Sequence, residues 1–217
     1  MIIDCISDLH GHYPKLEGGD LLIIAGDLTT RDADGEHRDF ILWLAEVQNH
    51  ENKYEKIIYI AGNHDNFLFD KHRYGQIKTP PYWNIEYLCD SQTQFRGLKI
   101  WGSPWTKKFD GMNPDCMAFT VDSEKELAEK WALIPHDTTI LITHSPPWKF
   151  LDRTVDDRRV GCPNLLNVVG KIRPQLHVFG HVHEAYGQDE GGGVHFVNAS
   201  VVNERYKHVN KPIRIEL

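Results

Sequence analysis

Short apolar runs rich in β-branched residues recur along the chain and predict buried strands. The apolar residues in each run are nearly continuous rather than alternating, which is typical of strands covered on both faces. Segment 93–103 instead predicts a hairpin that turns at Arg96 and Gly97. The predicted strands span residues 2–7, 21–25, 56–61, 139–143, 176–180, 194–202 and 212–217.

Three segments with helical periodicity lie between these runs, at residues 36–48, 123–135 and 162–174. The second begins with a capping box formed by Ser123 and Glu126. Strands that alternate with helices and then give way to hairpins predict an α/β fold with mixed sheets. Residues 189–194 predict only a turn. Since no repeat or linker interrupts the pattern, we expect a single domain over residues 1–217.

Composition limits the class of protein. A chain of 217 residues with 41% hydrophobic residues can bury a core without disulfides. The four cysteines contain no C-x-x-C pair, and they predict free thiols in a reducing compartment, the cytoplasm. No apolar stretch approaches the length of a membrane span, so we expect no membrane association. A net charge of -7 argues against nucleic acid as a partner. The oligomeric state is not predictable.

Polar side chains follow each of the five early strands, at the point where the strand ends. In open α/β folds this edge of the sheet collects ligands. Three of the polar groups follow a glycine, which lets the backbone turn sharply and approach a ligand closely. Taken singly, His144 is explained as a structural histidine and Asp27 as a turn residue, so the joint pattern supports the prediction. The residues are Asp8 and His10, Asp27, Asn63 with His64 and Asp65, His144, and His181 with His183.

These residues predict a site for two divalent metal ions. The candidate ligands number seven, which is too many for one open catalytic ion, and one bridging carboxylate would give each ion four. Two such ions outweigh the charge of two aspartates, and the surplus suits an anion such as a phosphate ester. The imidazole-rich set favours Mn²⁺, Fe or Zn²⁺ over Ca²⁺ and Mg²⁺, without deciding among them. The candidate ligands are Asp8, His10, Asp27, Asn63, His144, His181 and His183.

The motif set D-x-H, GD, GNHD, H and GHxH resembles that of the calcineurin-like metallophosphoesterase superfamily. The stretches "GLKIWGSPW", "ILITHSPP" and "LHVFGHVHEAYG" are further similar to the metallophosphoesterase-domain-containing proteins and to class III cyclic-nucleotide phosphodiesterases. The resemblance implies an αββα sandwich of two mixed β-sheets flanked by helices. It also implies a dinuclear metal centre at the edges of the sheets.

The resemblance also implies a role for each residue. A metal-bridging hydroxide would attack the phosphate directly, with no covalent enzyme intermediate. His64 would be the general acid near the leaving group, and Asp65 would orient its imidazole. Of the ligands, the resemblance assigns Asp8, His10 and His183 to one metal, Asp27 to the bridge, and Asn63, His144 and His181 to the other metal.

Five further residues are candidates for contacts with the substrate. His12, Arg158 and Arg159 could reach phosphate oxygens, although exposed loops explain them equally well. Trp105 and Trp148 could stack on a nucleobase, although aromatic side chains are more often core residues.

The function that the sequence favours is hydrolysis of small phosphate diesters, such as cyclic nucleotides, by a metal-dependent phosphodiesterase. A phosphomonoesterase, a phosphoprotein phosphatase or a nuclease could use the same centre. An alternative of another class is a metal-stabilised scaffold that binds a nucleotide with little turnover. Since one fold and metal site can act on many substrates, the residues leave these alternatives open.

Overall fold

Two large β-sheets lie face to face, and helices cover their outer faces. The computed structural model of the protein describes residues 1–31, 35–49, 53–75, 84–109 and 111–217. The helices are α1 (Glu36–Asn49), α2 (Asn66–Arg73), α3 (Glu124–Trp131) and α4 (Pro163–Ile172). The strands are β1 (Ile2–Ile6), β2 (Gly19–Ala25), β3 (Tyr54–Ile60), β4 (Ile85–Tyr87), β5 (Ser91–Phe95), β6 (Leu98–Ser103), β7 (Thr106–Lys107), β8 (Thr120–Val121), β9 (Ile140–Thr143), β10 (Leu176–Phe179), β11 (Gly187–Gly191), β12 (Val194–Asn198) and β13 (Ile213–Glu216).

Both large sheets have a parallel centre. The first has the order β13-β1-β2-β3-β4, in which only the edge strand β13 is antiparallel to its neighbour. The second has the order β11-β12-β10-β9-β6-β5, with antiparallel strands at both edges. Strands β7 and β8 form a small separate pair. The predicted α/β sandwich of two mixed sheets is confirmed.

The layer between the two sheets is aliphatic. In β2, for example, Leu21, Ile23 and Ala25 belong to this layer, whereas Leu22 and Ile24 belong to the outer cluster that also includes helix residues. The strand is therefore buried on both faces, which explains its continuous apolar run. The fully buried residues of the inner layer are Ile, Leu, Val, Ala and Cys, while the buried aromatic residues lie in the outer cluster.

The sheets are linked by hydrogen bonds at the edge where their parallel strands end. Ser7, just after β1, donates its N–H to the carbonyl of Ala199 at 2.8 Å, and the Ser7 carbonyl accepts from Val201 at 2.9 Å. Residues 199–201 follow β12 of the other sheet. These bonds hold the loops of the two sheets together at this edge.

Most predicted elements are confirmed, the short strands β4, β7 and β8 were not predicted, and three further differences follow. Helix α2 was not predicted, because its eight residues bury only Leu68 and show too little periodicity. The strand predicted over 194–202 ends at Asn198. The turn predicted over 189–194 is shorter, since residues 189–191 pair in β11 and the chain turns at Gly192 and Gly193.

The C-terminal strand is held to the first strand by an ion pair whose carboxylate is buried. Arg214 in β13 donates from Nε and Nη2 to the two carboxylate oxygens of Asp4 in β1, at 2.8 and 2.9 Å.

The single domain over residues 1–217 stays a prediction. None of the helices in the described parts of the chain combines the length and the apolar character needed to cross a bilayer.

Candidate metal centre

All seven predicted ligands lie at the edge where the two sheets are linked. Those from the first sheet follow β1, β2 and β3, and those from the second follow β9 and β10, so both sheets contribute. Six of the seven are buried, and His181 is partly exposed. The structure therefore brings together residues that are up to 175 positions apart, from Asp8 to His183.

The ligand atoms form two groups that share one residue. Within each group, one ligand atom of every member lies within 4.8 Å of the others. The amide of Asn63 extends the second group, since its Oδ1 lies 3.3 Å from Nε2 of His144. The first group is Asp8, His10, Asp27 and His183, and the second is Asp27, His144 and His181.

Asp27 is placed to serve both groups. Its Oδ1 accepts the backbone N–H of His64 at 2.9 Å, which fixes the carboxylate. Its Oδ2 lies 3.3 Å from Nε2 of His144 in one group and 3.8 Å from Nε2 of His10 in the other. Asp8 is held similarly, because both of its oxygens lie 3.1 Å from the backbone N–H of His181.

Three of the histidines are oriented by backbone carbonyls. Each of these contacts involves Nδ1, and because a carbonyl only accepts, Nδ1 carries the proton. The other nitrogen, Nε2, faces the carboxylates. The contacts are His10 with Thr29 (3.2 Å), His144 with Ala25 (2.9 Å) and His183 with Asn203 (3.2 Å).

The backbone at this edge is strained. Asp8, His10, Asp27 and His181 have φ values of 54°, 43°, 51° and 68°, in the left-handed region that non-glycine residues rarely adopt. Strain of this kind concentrates at functional sites, where the surrounding structure maintains it.

Glycines leave room for the carboxylates and imidazoles. A Cβ on Gly180 would lie 2.1 Å from Oδ2 of Asp8, and one on Gly62 would lie 2.2 Å from Oδ1 of Asp27. A Cβ on Gly26, where φ is 98°, would lie 2.6 Å from Nδ1 of His144. The close approach expected of these glycines is therefore a property of the structure.

The pKa values of the buried groups indicate ionised carboxylates paired with some of the imidazoles around them. Burial alone would raise the pKa of Asp8, but hydrogen bonding to His183 and the nearby imidazole charges lower it to about 2. Burial would likewise lower the pKa of His144, but the charge of Asp27 raises it to about 9. Burial dominates for His10 and His181 and lowers the pKa of each to about 3, so these rings are neutral.

This arrangement fits divalent cations. Two ionised carboxylates that draw a proton onto a buried imidazole attract a metal ion for the same electrostatic reason. The Nε2 atoms of His10 and His183 lie 3.2 Å apart, and a cation is a suitable partner for both lone pairs. Imidazole and carboxylate ligands without cysteine suit first-row transition metals.

His64 lies beside both groups, with its ring held in one orientation. Its Nδ1 contacts the carbonyl of Thr30, so Nε2 remains free to donate or accept a proton. That Nε2 lies 3.9 Å from Oδ2 of Asp27, and the ring centroid lies 4.6 Å from that of His10.

The contacts of Asp65 differ from those expected. Its carboxylate accepts the backbone N–H groups of Gly62, Leu28 and Thr29, at 2.7 to 3.1 Å, and the Thr29 hydroxyl at 3.0 Å. The predicted contact with the His64 imidazole is thus replaced by one between that ring and a carbonyl. Asp65 joins the loops after β2 and β3, and so positions His64 and Asp27 through the backbone.

Trp105, a predicted stacking residue, is packed inside the protein. Its side chain is 8% exposed, its Nε1 donates to Asp90 at 2.7 Å, and Lys130 Nζ lies 3.7 Å from its ring centroid. Trp148 is partly buried and is not among the described residues that line the cavity at the site. Nothing in their positions supports a stacking role for either residue.

Two of the three polar substrate candidates line this cavity, which has a volume of about 1060 Å³. Arg158 is on the surface and pairs with Asp156 at 2.8 Å. Arg159 donates to the buried carboxylate of Asp152 at 2.6 Å. His12 lies outside the lining and contacts the carbonyl of Tyr206 through Nε2.

Two exposed aromatic side chains in the cavity were not among the predicted site residues. Phe109 is 57% exposed and lies 6.2 Å from His181 between ring centroids. Tyr206 is 46% exposed and contacts three histidines of the site. Neither follows a predicted strand directly, so no signal of the kind that identified the ligands was present.

Fold and site together define a metal-dependent hydrolase of phosphate esters. The family profile for calcineurin-like phosphoesterase matches residues 1–185. The chain belongs to this family, whose members use a dinuclear metal centre.

Relatives from animals match almost the whole chain. Human metallophosphoesterase domain-containing protein 1 is 39% identical, over 98% of this chain and 70% of its own length. The UPF0046 protein C25E10.12 of Caenorhabditis elegans is 32% identical, over 98% of this chain and 79% of its own length.

Solved structures share the fold at low identity. TT1561 of Thermus thermophilus superposes with a TM-score of 0.61 at 18% identity, covering 91% of this chain and 88% of its own. The phosphopantetheinyl hydrolase of Mycobacterium tuberculosis superposes with a TM-score of 0.53 at 16% identity, covering 94% and 90%. These likenesses concern the fold alone.

Proposed function

We propose that the protein is a phosphodiesterase that hydrolyses small phosphate diesters, with cyclic nucleotides as one candidate class. The main support is the pair of ligand groups that share only Asp27. A carboxylate common to two clusters is the arrangement that holds two ions close together. Two divalent ions supply Lewis acidity, which polarises phosphoryl oxygens and lowers the pKa of bound water toward about 7.

The side chains divide this work. Asp8, His10 and His183 would hold one ion, Asn63, His144 and His181 would hold the other, and Asp27 belongs to both groups. The carbonyls that orient His10, His144 and His183 leave the Nε2 atoms of these rings for metal binding. The backbone N–H of His64 fixes Oδ1 of Asp27 and leaves Oδ2, which faces His10 and His144, for metal binding.

His64 is the proposed general acid. Because its Nδ1 is occupied by the Thr30 carbonyl, only Nε2 can deliver a proton to the departing oxygen. A positioned acid contributes about 10²–10⁴-fold when the leaving group is a poor one. Asp65 acts as a positioning residue through the loop that carries His64.

Charge in the cavity favours a diester over a monoester. A monoester dianion carries one more negative charge than a diester, and extra cations usually compensate it. Each of the basic residues lining the cavity in the described chain already has an acidic partner. The pairs are Lys107 with Glu124, Lys108 with Asp122, Arg158 with Asp156, and Arg159 with Asp152.

The native ions and the compartment belong to the same proposal. Four imidazoles among seven ligands favour Mn²⁺, Fe or Zn²⁺. All four cysteines are free thiols, which supports a reducing compartment such as the cytoplasm.

Metal reconstitution of the purified apoprotein tests the proposal. Hydrolysis of bis-p-nitrophenyl phosphate and of p-nitrophenyl phosphate would be measured with Mn²⁺, Zn²⁺, Fe²⁺, Mg²⁺ and no metal. We expect metal-dependent turnover with a higher kcat/KM for the diester. His181→Ala should abolish it, while His195→Ala, a matched change in β12 outside the site, should not.

Two results would contradict the proposal. Equal or better turnover of the monoester would make the protein a phosphomonoesterase. Two bound ions per chain without turnover of either ester would favour the scaffold hypothesis.

A further inference from the structure

A loop beyond the family-matched region forms one wall of the site. The family profile ends at residue 185, whereas Val202 and His208 pair across a tight loop, here called the 202–208 loop. Two residues of this loop contact the histidines of the candidate metal centre. The wall is therefore formed by a segment that the family match leaves unassigned.

Asn203 couples the conformation of the loop to the metal centre. Its carbonyl accepts from Nδ1 of His183 at 3.2 Å. Its side-chain Oδ1 accepts the backbone N–H groups of Arg205 and Lys207, at 3.0 and 3.1 Å. The same residue thus orients a ligand and fixes the turn that presents Tyr206.

Tyr206 stands over three imidazoles. Its ring centroid lies 4.8 Å from that of His10, 5.1 Å from that of His183 and 5.9 Å from that of His64. Its backbone is left-handed, with φ of 57°, and its carbonyl accepts from His12. The ring is perpendicular or tilted to the imidazoles, and 46% of the side chain is exposed, so the imidazoles leave part of the ring free.

The free part of the ring borders the place where an ester leaving group would depart. Tyr206 lines the cavity together with His64, and nearly half of its side chain is exposed. An apolar face that a structure holds beside a proton donor suits a substituent with a flat face of its own, because stacked rings attract each other.

We propose that Tyr206 is a specificity-determining residue whose ring packs against the leaving group and favours phosphate esters in which that group carries a planar ring. The inference rests on the proposed function, because it uses His64 to locate the leaving group. It adds a substrate preference that the ligand set alone does not imply.

Two diesters with the same methyl group and different leaving groups test it. One carries phenol, and the other carries a fluorinated alkyl alcohol of matched acidity, so that the ring is the main difference. We expect Tyr206→Leu to lower the phenyl-to-alkyl ratio of kcat/KM roughly tenfold. Tyr206→Phe should keep the ratio, because it keeps the ring. Tyr74→Leu, a matched change at an exposed tyrosine after α2, should keep it as well.

Binding of non-hydrolysable phosphonates separates this inference from the proposed function. Phenylphosphonate should have a lower dissociation constant for the metal-loaded protein than methylphosphonate. Tyr206→Leu should remove this difference. If the wild-type protein binds phenylphosphonate more tightly but hydrolyses no diester, the ring contact is supported and the phosphodiesterase proposal is contradicted.

Three outcomes would overturn the inference. Tyr206→Leu could lower both kcat/KM values equally, or the two phosphonates could bind equally to the wild-type protein. Tyr206→Phe could also lose as much as Tyr206→Leu, which would make the hydroxyl the contact. Metal content and thermal unfolding of each variant must match the wild type, since the 202–208 loop also orients His183.

Discussion

Nε2 of His10 lies 3.2 Å from Nε2 of His183, although each ring already directs its Nδ1 at a backbone carbonyl. Since a carbonyl cannot donate, each Nδ1 carries a proton, and the two facing Nε2 atoms cannot both carry one as well. A cation or a shared proton is needed between them. The two rings come from different sheets, so whatever binds there also links the sheets.

Removal of metal should therefore destabilise the fold. An ion at 100 times its dissociation constant stabilises the native state by about 2.7 kcal/mol per site, or roughly 5–10 °C in Tm for a chain of this size. We expect EDTA to lower Tm accordingly and Mn²⁺ or Zn²⁺ to restore it, as measured by calorimetry. In His183→Ala the change in Tm with metal should be much smaller, whereas in His195→Ala it should equal that of the wild type. The same Tm with EDTA and with saturating metal would contradict the assignment.

Replacement of His64 should matter most for poor leaving groups. We expect His64→Ala to lower kcat/KM for an alkyl methyl phosphate by about 10²–10⁴-fold, because Nε2 no longer protonates the alkoxide. The loss should be much smaller with a nitrophenyl ester, whose leaving group needs little protonation. Steady-state kinetics on both esters measures this difference. An equal loss of kcat/KM with both esters would contradict the general-acid role and make His64 a structural residue.

A methyl group at Gly180 should disrupt the site. The added Cβ would lie 2.1 Å from Oδ2 of Asp8 and from Oγ of Ser7, so Gly180→Ala should lower stability by about 1–3 kcal/mol and lower metal affinity. Urea unfolding and metal analysis measure both effects. Gly170→Ala is the matched control: it lies in α4 with open space around its Cβ and should stabilise by about 0.5–1 kcal/mol. Wild-type metal affinity in Gly180→Ala would refute the steric argument.

Buried His177 should make the protein sensitive to acid. Burial lowers its pKa to about 3, and in the described chain its Nδ1 has no hydrogen-bond partner. The unfolded state therefore binds a proton near pH 6.5 that the native state does not, so stability falls as pH decreases from 6.5 toward 3.

The variant His177→Leu isolates this effect. Between pH 7 and pH 5, the wild-type protein should lose about 2 kcal/mol more unfolding free energy than His177→Leu, because leucine does not titrate. Urea unfolding of both proteins at both pH values gives this difference in unfolding free energy. The other titrating groups are the same in the two proteins, so their contributions cancel. His195→Leu, in the neighbouring strand, should behave like the wild type. A pH dependence unchanged in His177→Leu would mean that His177 is protonated in the fold.

The sequence was sufficient to predict the strands and the clustering of the candidate ligands for one physical reason. In a parallel sheet, the apolar run and the polar group that follows it are adjacent in the chain, so Asp27 and His144 are visible beside β2 and β9. The position of Gly62 and Gly180 before the polar groups added to the same local signal.

Features that depend on distant parts of the chain could not be predicted. Tyr206 reaches the site because the chain returns there after β12, and no local pattern records that return. The role of Asp65 depends on amides in the loop after β2, and Trp105 is buried by a partner on α3. To predict any of these three features, the relative positions of two distant segments must be known.

The aliphatic layer between the sheets has a consequence for the chemistry at their edge. Asp27 and His144 approach to 3.3 Å, but they stand on opposite sheets, and the thickness of the layer sets the gap between those sheets. Aliphatic side chains therefore act as the spacer for the candidate metal centre. We therefore expect metal affinity in this protein to depend on how closely the two sheets pack across this aliphatic layer.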